Sequence, residues 1–144
     1  QWDKKTGHLA PLYEHPDDWE TTFNGNFSIR YWMSQGAPAK KLVMGMPMYG
    51  QAFTLEKTNS NGLNAIAPGP GQAGEFTRAA GFLAFYEICQ RVNGGGWTVV
   101  RDPEGRIGPY AYKDRQWVSY DDVEDIRRKT KFVKDLGLGG AMIW

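Results

Sequence analysis

The sequence predicts an α/β protein with a parallel sheet, interrupted by an α+β insertion. Three observations predict it. Helix signals followed by a short apolar run occur twice, over 26–48 and 121–144. Each run lacks alternation, as strands covered on both faces do. Between them, residues 51–119 change character to turn-rich and alternating stretches, the pattern of an antiparallel meander.

Each element has its own local reason. Residues 11–26, PLYEHPDDWETTFNGN, mix prolines, acids and turn formers and read as a long loop. A helix is expected next, with Asn26 as cap, Ile29, Trp32 and Met33 on one face, Gly36 closing it and Pro38 forbidding continuation. Leu42–Met48 is the first apolar strand, with Pro47 suited to its end. NGLNAIAPGPGQAGEF is irregular. TRAAGFLAFYEICQR (77–91) reads as one helix, with Leu83, Tyr86 and Cys89 or Val92 near one face. GWTVV, IGPYAYK and QWVSY read as short antiparallel strands, separated by RDPEGR, with Pro at the second turn position, and by a tight Asp-Arg turn. In the closing helix, Asp121 is the expected cap and Glu124 stands at capping-box spacing. Val123, Ile126, Val133 and Leu136 recur at helical spacing, Gly137 ends the helix, and GGAMIW is the second buried strand.

Composition narrows the function. The chain has 144 residues and a formal charge of +1, with no long basic or acidic block, so nothing favours a nucleic-acid or membrane-surface partner. No apolar run approaches membrane-span length and no signal peptide opens the chain; a start at QWDKKTG without Met reads as the middle of something longer. Six Trp, seven Tyr and seven Phe are a surplus that serves a core or ligand stacking. The single cysteine, Cys89, is either a buried thiol or half of a bridge whose partner lies elsewhere.

LVMGMPMYGQAF, GFLAFYEIC, GPYAY, QWVSYDDVEDIRRK and GLGGAMIW occur in order and at the right spacing. In these motifs the chain resembles the C-terminal part of glycoside hydrolase family 18 chitinases, in wording closest to those of arthropods. The resemblance implies a fragment of a (β/α)8 TIM barrel, with strands 7 and 8, helices 6 and 7, and the chitinase insertion domain. Residues 1–50 would then hold the loop after strand 6, helix 6 and strand 7, residues 51–119 the insertion, and residues 120–144 helix 7 and strand 8. It further implies retaining, substrate-assisted cleavage of β-1,4-linked N-acetylglucosamine polymers. The family's acid, the Glu of a DxxDxDxE motif, has no match among the 144 residues. The chain therefore supplies no catalytic residue, and hydrolase activity and autonomous barrel folding are not expected of it alone. A chitin-binding lectin lacking that Glu is the alternative.

By the same resemblance, Trp144 forms the floor beneath the sugar at the cleavage point. An indole meets the C–H face of a pyranose well. Tyr49, of the MPxYG motif, offers a hydroxyl to the sugar; its alternative is a buried Tyr with a backbone partner. Gln51 stands where many relatives have Arg, keeping donors but losing the charge and the fork. Trp2 lines the product side, Phe82 either reaches over the cleft or fills the core of the inserted helix, and Met142 points to the barrel centre. Cys89 pairs in relatives with a Cys that would lie beyond Trp144, implying a secreted, extracellular setting. The partners implied are chitin or chito-oligosaccharides, with no cofactor, no metal and no obligate protein partner.

Asn26-Phe27-Ser28 is an N-glycosylation sequon. His8 and His15, in a loop without cysteine or paired-carboxylate company, read as solvated rather than metal-ligating. GPGQAG lacks the Lys-Ser/Thr of a phosphate loop and reads as a turn. The acids of DDVED read as helix-capping groups.

Overall fold

A computed structural model describes residues 3–144. Trp2 lies outside the described residues. Two sheets organise the rest. In the first, strand β1 (Val43–Met46) pairs in parallel with strand β8 (Gly140–Ile143), Val43 opposite Gly140 and Met46 opposite Ile143. Helix α3 (Val123–Asp135) covers one face of this pair. There Met44, Met46, Phe132, Val133 and Leu12 form a buried cluster, with Ile29 of helix α1 (Gly25–Ser34) at its margin. The strand is buried on one face rather than two, because this chain's own elements cover only that face. Val43 and Met142 stay exposed. β1 is regular only to Met46, two residues short of expectation, although Met46 O and Met48 N still bond Trp144 across Pro47.

The second sheet is antiparallel. Strands β2 (Tyr49–Thr54), β7 (Gln116–Ser119), β6 (Tyr110–Lys113) and β5 (Thr98–Val100) follow one another, with β3 (Gly69–Pro70) and β4 (Phe82–Ala84) on the far edge of β2. The expected meander is therefore present. Its first turn has Pro103 second, closed by Gly105 N–H donating to Asp102 O at 3.0 Å. Asp114, at φ 52°, makes the tight second turn.

Alternation gives the sheet two apolar faces. Ala52, Leu83, Ala111 and Val118 pack beneath helix α2 (Phe85–Asn93) through Ile88. Phe53 and Trp117 pack on the other face against Leu55, Ala65 and Ala67 of the loop that follows β2. Gly50 permits the close approach of α2, since a Cβ there would stand 2.5 Å from Ile88 Cδ1 and 2.7 Å from Ser119 O.

Three helix boundaries differ from expectation. Asn24, not Asn26, caps α1, accepting from Phe27 N at 2.8 Å; Asn26 lies inside the helix and accepts from Arg30 Nε. The single helix expected over 77–91 splits into β4 and α2. Gly81 at φ 77° and Arg78 at φ 53° break the helical path, and pairing of Phe82–Ala84 with β2 satisfies their backbone. Asp122, not Asp121, caps α3 and shares a reciprocal box with Asp125, not Glu124. Asp121 turns inward instead.

Candidate functional site

The site starts where the two sheets meet. β1 and β8 are parallel, so their C-terminal ends lie together, and the chain passes from β1 through Pro47 and Met48 into β2. Trp144 sits at this junction. Its N–H donates to Met46 O and its carbonyl accepts from Met48 N, both at 2.9 Å. The backbone is pinned while the indole is 70% exposed. That combination presents a broad apolar face from a fixed point of the backbone.

Tyr49 opens β2. Phe85 N donates to Met48 O, drawing the start of α2 onto the same corner. Tyr49 stacks on Phe82 with centroids 4.9 Å apart and planes 28° from parallel. Phe82 is thus a half-buried strand residue beside the Tyr, not part of a helix core. Gln51 lies opposite Phe82 on one side and Ser119 on the other, and it shares a strand face with Tyr49. Among the described residues neither the Tyr49 hydroxyl nor the Gln51 amide is engaged by a protein partner. Met142 pairs with Gly45 inside the parallel ladder and is 42% exposed.

Beyond Gln51 opens a cleft of about 500 Å³, within the range of small-molecule sites. Its walls are Gln51 and Phe53 of β2, the segment from Asp3 to His8, and the loop carrying Trp19 and Phe23. The structure brings Gln51 to this cleft. Tyr49, Phe82, Trp144 and Met142 do not line it. Trp19 and Phe23 escaped the sequence reading; the available signal was two large aromatics four apart in an otherwise polar loop.

The part of the cleft wall that carries His8 is fixed by a buried polar network. His8, expected to be solvated, has a side chain only 2% exposed. Its Nε2 faces Tyr120 O at 3.0 Å, and a carbonyl only accepts, so Nε2 carries the proton. Its Nδ1 accepts from Ala10 N at 3.1 Å. Both nitrogens are used by the neutral ring. Burial, with Lys129 nearby, pushes its pKa down to about 3. The Lys129 ammonium pairs with Asp121 and donates to Ala10 O at 2.7 Å. Burial raises the Asp121 pKa against the pull of Lys129, and its Oδ1 has no hydrogen-bond partner. Leu9 N donates to Ser119 Oγ at 3.0 Å, completing the stitch to β7. His15 is partly sheltered, its Nδ1 accepting from Asp17 N.

This network has a pH signature. The folded-state pKa of His8 lies below its ordinary 6.5, so the unfolded chain binds the proton first. The contribution of His8 is complete above pH 6.5 and is lost as pH falls toward about 3. In denaturant titrations the full-length protein loses up to about 1.4 kcal/mol per pH unit in this window through His8. His8→Gln flattens that slope; an unchanged slope in the variant would refute the assignment.

Cys89, the single cysteine of the chain, sits half-buried on α2, and burial pushes its thiol up. Among the described residues no three His, Cys, Asp or Glu side chains converge as metal ligands, and no helix is long and apolar enough to cross a membrane.

A parallel strand pair with an exposed indole at its end, joined to an antiparallel sheet beside a cleft, is the arrangement that comparison with known proteins assigns to a family. Residues 1–144 match the model of glycosyl hydrolases family 18, and the chain belongs to that family. It is 68% identical over 143 residues to probable chitinase 10 of Drosophila melanogaster, covering 99% of this chain and 6% of that protein. Catalytic domain 2 of the Ostrinia furnacalis Group II chitinase superposes with a TM-score of 0.97 at 55% identity, covering 100% of this chain and 38% of that one. Human YKL-39, a pseudo-chitinase with retained chitooligosaccharide binding properties, superposes at 0.90 with 44% identity, covering 99% of this chain and 39% of that one. The chain thus spans well under half the length of these relatives.

Proposed function

We propose that this chain is part of a secreted chitinase that hydrolyses β-1,4-linked N-acetylglucosamine polymers with retention and substrate assistance. In this reading β1 and β8 are strands 7 and 8 of a (β/α)8 barrel, with α1 and α3 as helices 6 and 7. Residues 1–50 and 120–144 are barrel segments, and 51–119 are the insertion domain. Further strands would cover the exposed faces of Val43 and Ile143. Trp144 is the floor under the sugar at the cleaved bond. Tyr49 and Gln51 hydrogen-bond the chain, Phe82 backs Tyr49, Met142 fills the barrel, and Trp2 lines the product side. The catalytic carboxylic acid comes from outside these residues, and the chain alone is inactive. Cys89 forms a disulfide with a cysteine outside the chain, and Asn26 carries a glycan.

One observation carries the proposal: the exposed Trp144 indole, pinned by two backbone bonds at the shared end of two parallel strands. Active sites of parallel barrels sit at that end. In the full-length protein, Trp144→Ala is expected to lower kcat/KM on chito-oligosaccharides by about 10-fold to 100-fold, the weight of a well-packed Trp anchor. Unchanged kinetics would remove Trp144 from the site.

The second reading is a lectin that binds chitin chains without cutting them. The 44% identity to a pseudo-chitinase that keeps oligosaccharide binding favours it. Both readings use Trp144 and Tyr49. Turnover by the full-length protein decides for the hydrolase; tight binding without turnover decides for the lectin.

A further inference from the structure

An asparagine followed by glycine is open to attack by its own backbone, because glycine has no Cβ to shield the next N–H or to restrict its dihedrals. The pair occurs three times, at 24–25, 61–62 and 93–94. The fold treats the three differently. Asn24 is buried, its Oδ1 accepts from Phe27 N, its Nδ2 donates to Thr21 O, and Gly25 N is spent on Pro11 O at 2.9 Å. Asn93 is exposed at the end of α2, but Gly94 N donates to Gln90 O at 2.8 Å and continues the helical pattern. Asn61 lies half-buried in the loop after β2. Among the described residues Gly62 N has no acceptor and Asn61 Oδ1 no donor; only Nδ2 is held, by Thr58 O at 2.9 Å. The space over Gly62 is open, since a Cβ there would meet nothing nearer than Tyr110 Oη at 4.0 Å.

We propose that Asn61 is a site of spontaneous covalent modification, with water as the reactant and ammonia as the product. Gly62 N gives its proton to a solvent base and attacks Asn61 Cγ. The new Cγ–N bond forms, the Cγ–Nδ2 bond breaks, and Nδ2 leaves as ammonia with a proton returned from solvent. The reacting atoms belong to adjacent residues, so closure of the cyclic imide is intramolecular. Water then opens the imide. Addition at Cγ leaves an aspartate at position 61. Addition at the backbone carbonyl carbon leaves an isoaspartate, in which the chain runs on through the former side chain. Either product adds a negative charge. The isoaspartate also lengthens the chain by a methylene and turns the Asn61 carbonyl into a free carboxylate. That carbonyl is in use: Asn61 O accepts from Trp117 Nε1 at 3.1 Å, and Gly62 O accepts from Thr6 Oγ1 at 2.7 Å. Trp117 and Thr6 are both buried, and Thr6 lines the cleft together with Leu63 and Asn64. The two anchors no longer fit together once the chain between them is rerouted. The reaction needs no bound sugar and is independent of the function proposed above.

The experiment incubates the full-length protein well below its melting temperature at neutral and mildly alkaline pH. Aspartate and isoaspartate at positions 24, 61 and 93 are then quantified by peptide mass spectrometry. Conversion at Asn61 is expected to run about tenfold faster than at Asn24 or Asn93, the weight of one retained backbone hydrogen bond, and to rise with pH because attack needs a deprotonated amide. Gly62→Ala is the control. Its methyl enters open space on a backbone outside the left-handed region, so the variant is expected to keep the wild-type melting temperature. It should slow conversion at 61 and leave the other two sites unchanged. Equal rates at all three sites, as reaction through the unfolded chain would give, overturn the proposal. So does the absence of isoaspartate at 61, or an unchanged rate in Gly62→Ala. Protein enriched in isoaspartate at 61 is expected to melt lower than unmodified protein, because the buried Trp117 N–H loses its acceptor. Identical melting would overturn that consequence.

Discussion

Lys129→Met in the full-length protein is expected to lower the unfolding free energy by about 3–5 kcal/mol, the usual consequence of stranding one member of a buried ion pair. The Asp121 side chain is fully buried and that of Lys129 only 3% exposed. Asp121 Oδ1 already lacks a hydrogen-bond partner, so the Lys129 ammonium is its principal compensation. Removing the ammonium also leaves Ala10 O without its donor. The double variant Asp121→Leu/Lys129→Met should recover most of the loss, since no charge then remains buried. Denaturant midpoints of the single and double variants check both statements. A single variant as stable as wild type would show that the pair is not buried in the full protein. The network also sets function: it holds residues 8–10 against β7 and α3, one wall of the cleft. A destabilised but folded variant should therefore show a raised KM for long oligosaccharides.

Glu87→Gln carries the second large effect, an expected loss of about 2–4 kcal/mol. The Glu87 carboxylate is 3% exposed and accepts from Phe76 N at 2.8 Å, Thr77 N at 3.0 Å, Thr77 Oγ1 at 2.8 Å and Ala84 N at 2.9 Å. All four groups are donors, so a carboxamide NH₂ in place of one oxygen faces donors and strands them. These bonds overcome the desolvation that would raise the pKa and instead bring it down to about 2. The sign follows: a folded pKa below the ordinary 4.5 gives stability that is present above 4.5 and lost as pH falls toward about 2. The variant should lose that acid-limb dependence together with the stability, measured by denaturant midpoints at neutral pH and at pH values below 4.5. Its optical spectrum should change near the Tyr49–Phe82 stack, because the clamp fixes the entry to β4.

The residues alone made the helix–strand grammar legible. The apolar runs became β1 and β8, with Pro47 just past the end of the first. The meander of β5, β6 and β7 followed from alternation and from Pro103 and the Asp114 turn. The five motifs fixed the family, since their order and spacing are a property of the chain. These are local facts, governed by neighbours within a few residues.

Only the tertiary structure decided the rest. The 77–91 stretch has helical periodicity, but ladder bonds from β2, which is distant in sequence, pulled 82–84 into a strand. Asp121 and Asp122 are adjacent carboxylates with identical local chemistry. One caps α3 and the other is buried, because Lys129, two turns along the helix, faces only one of them. His8 reads as a solvated loop residue until Tyr120 O, 112 positions away, occupies its Nε2. Trp19 and Phe23 reach the cleft on a loop that Asn64, 47 positions from Asp17, ties through Asp17 O. Burial and long-range pairing are sums over contacts that no short window contains, and here they placed the cleft.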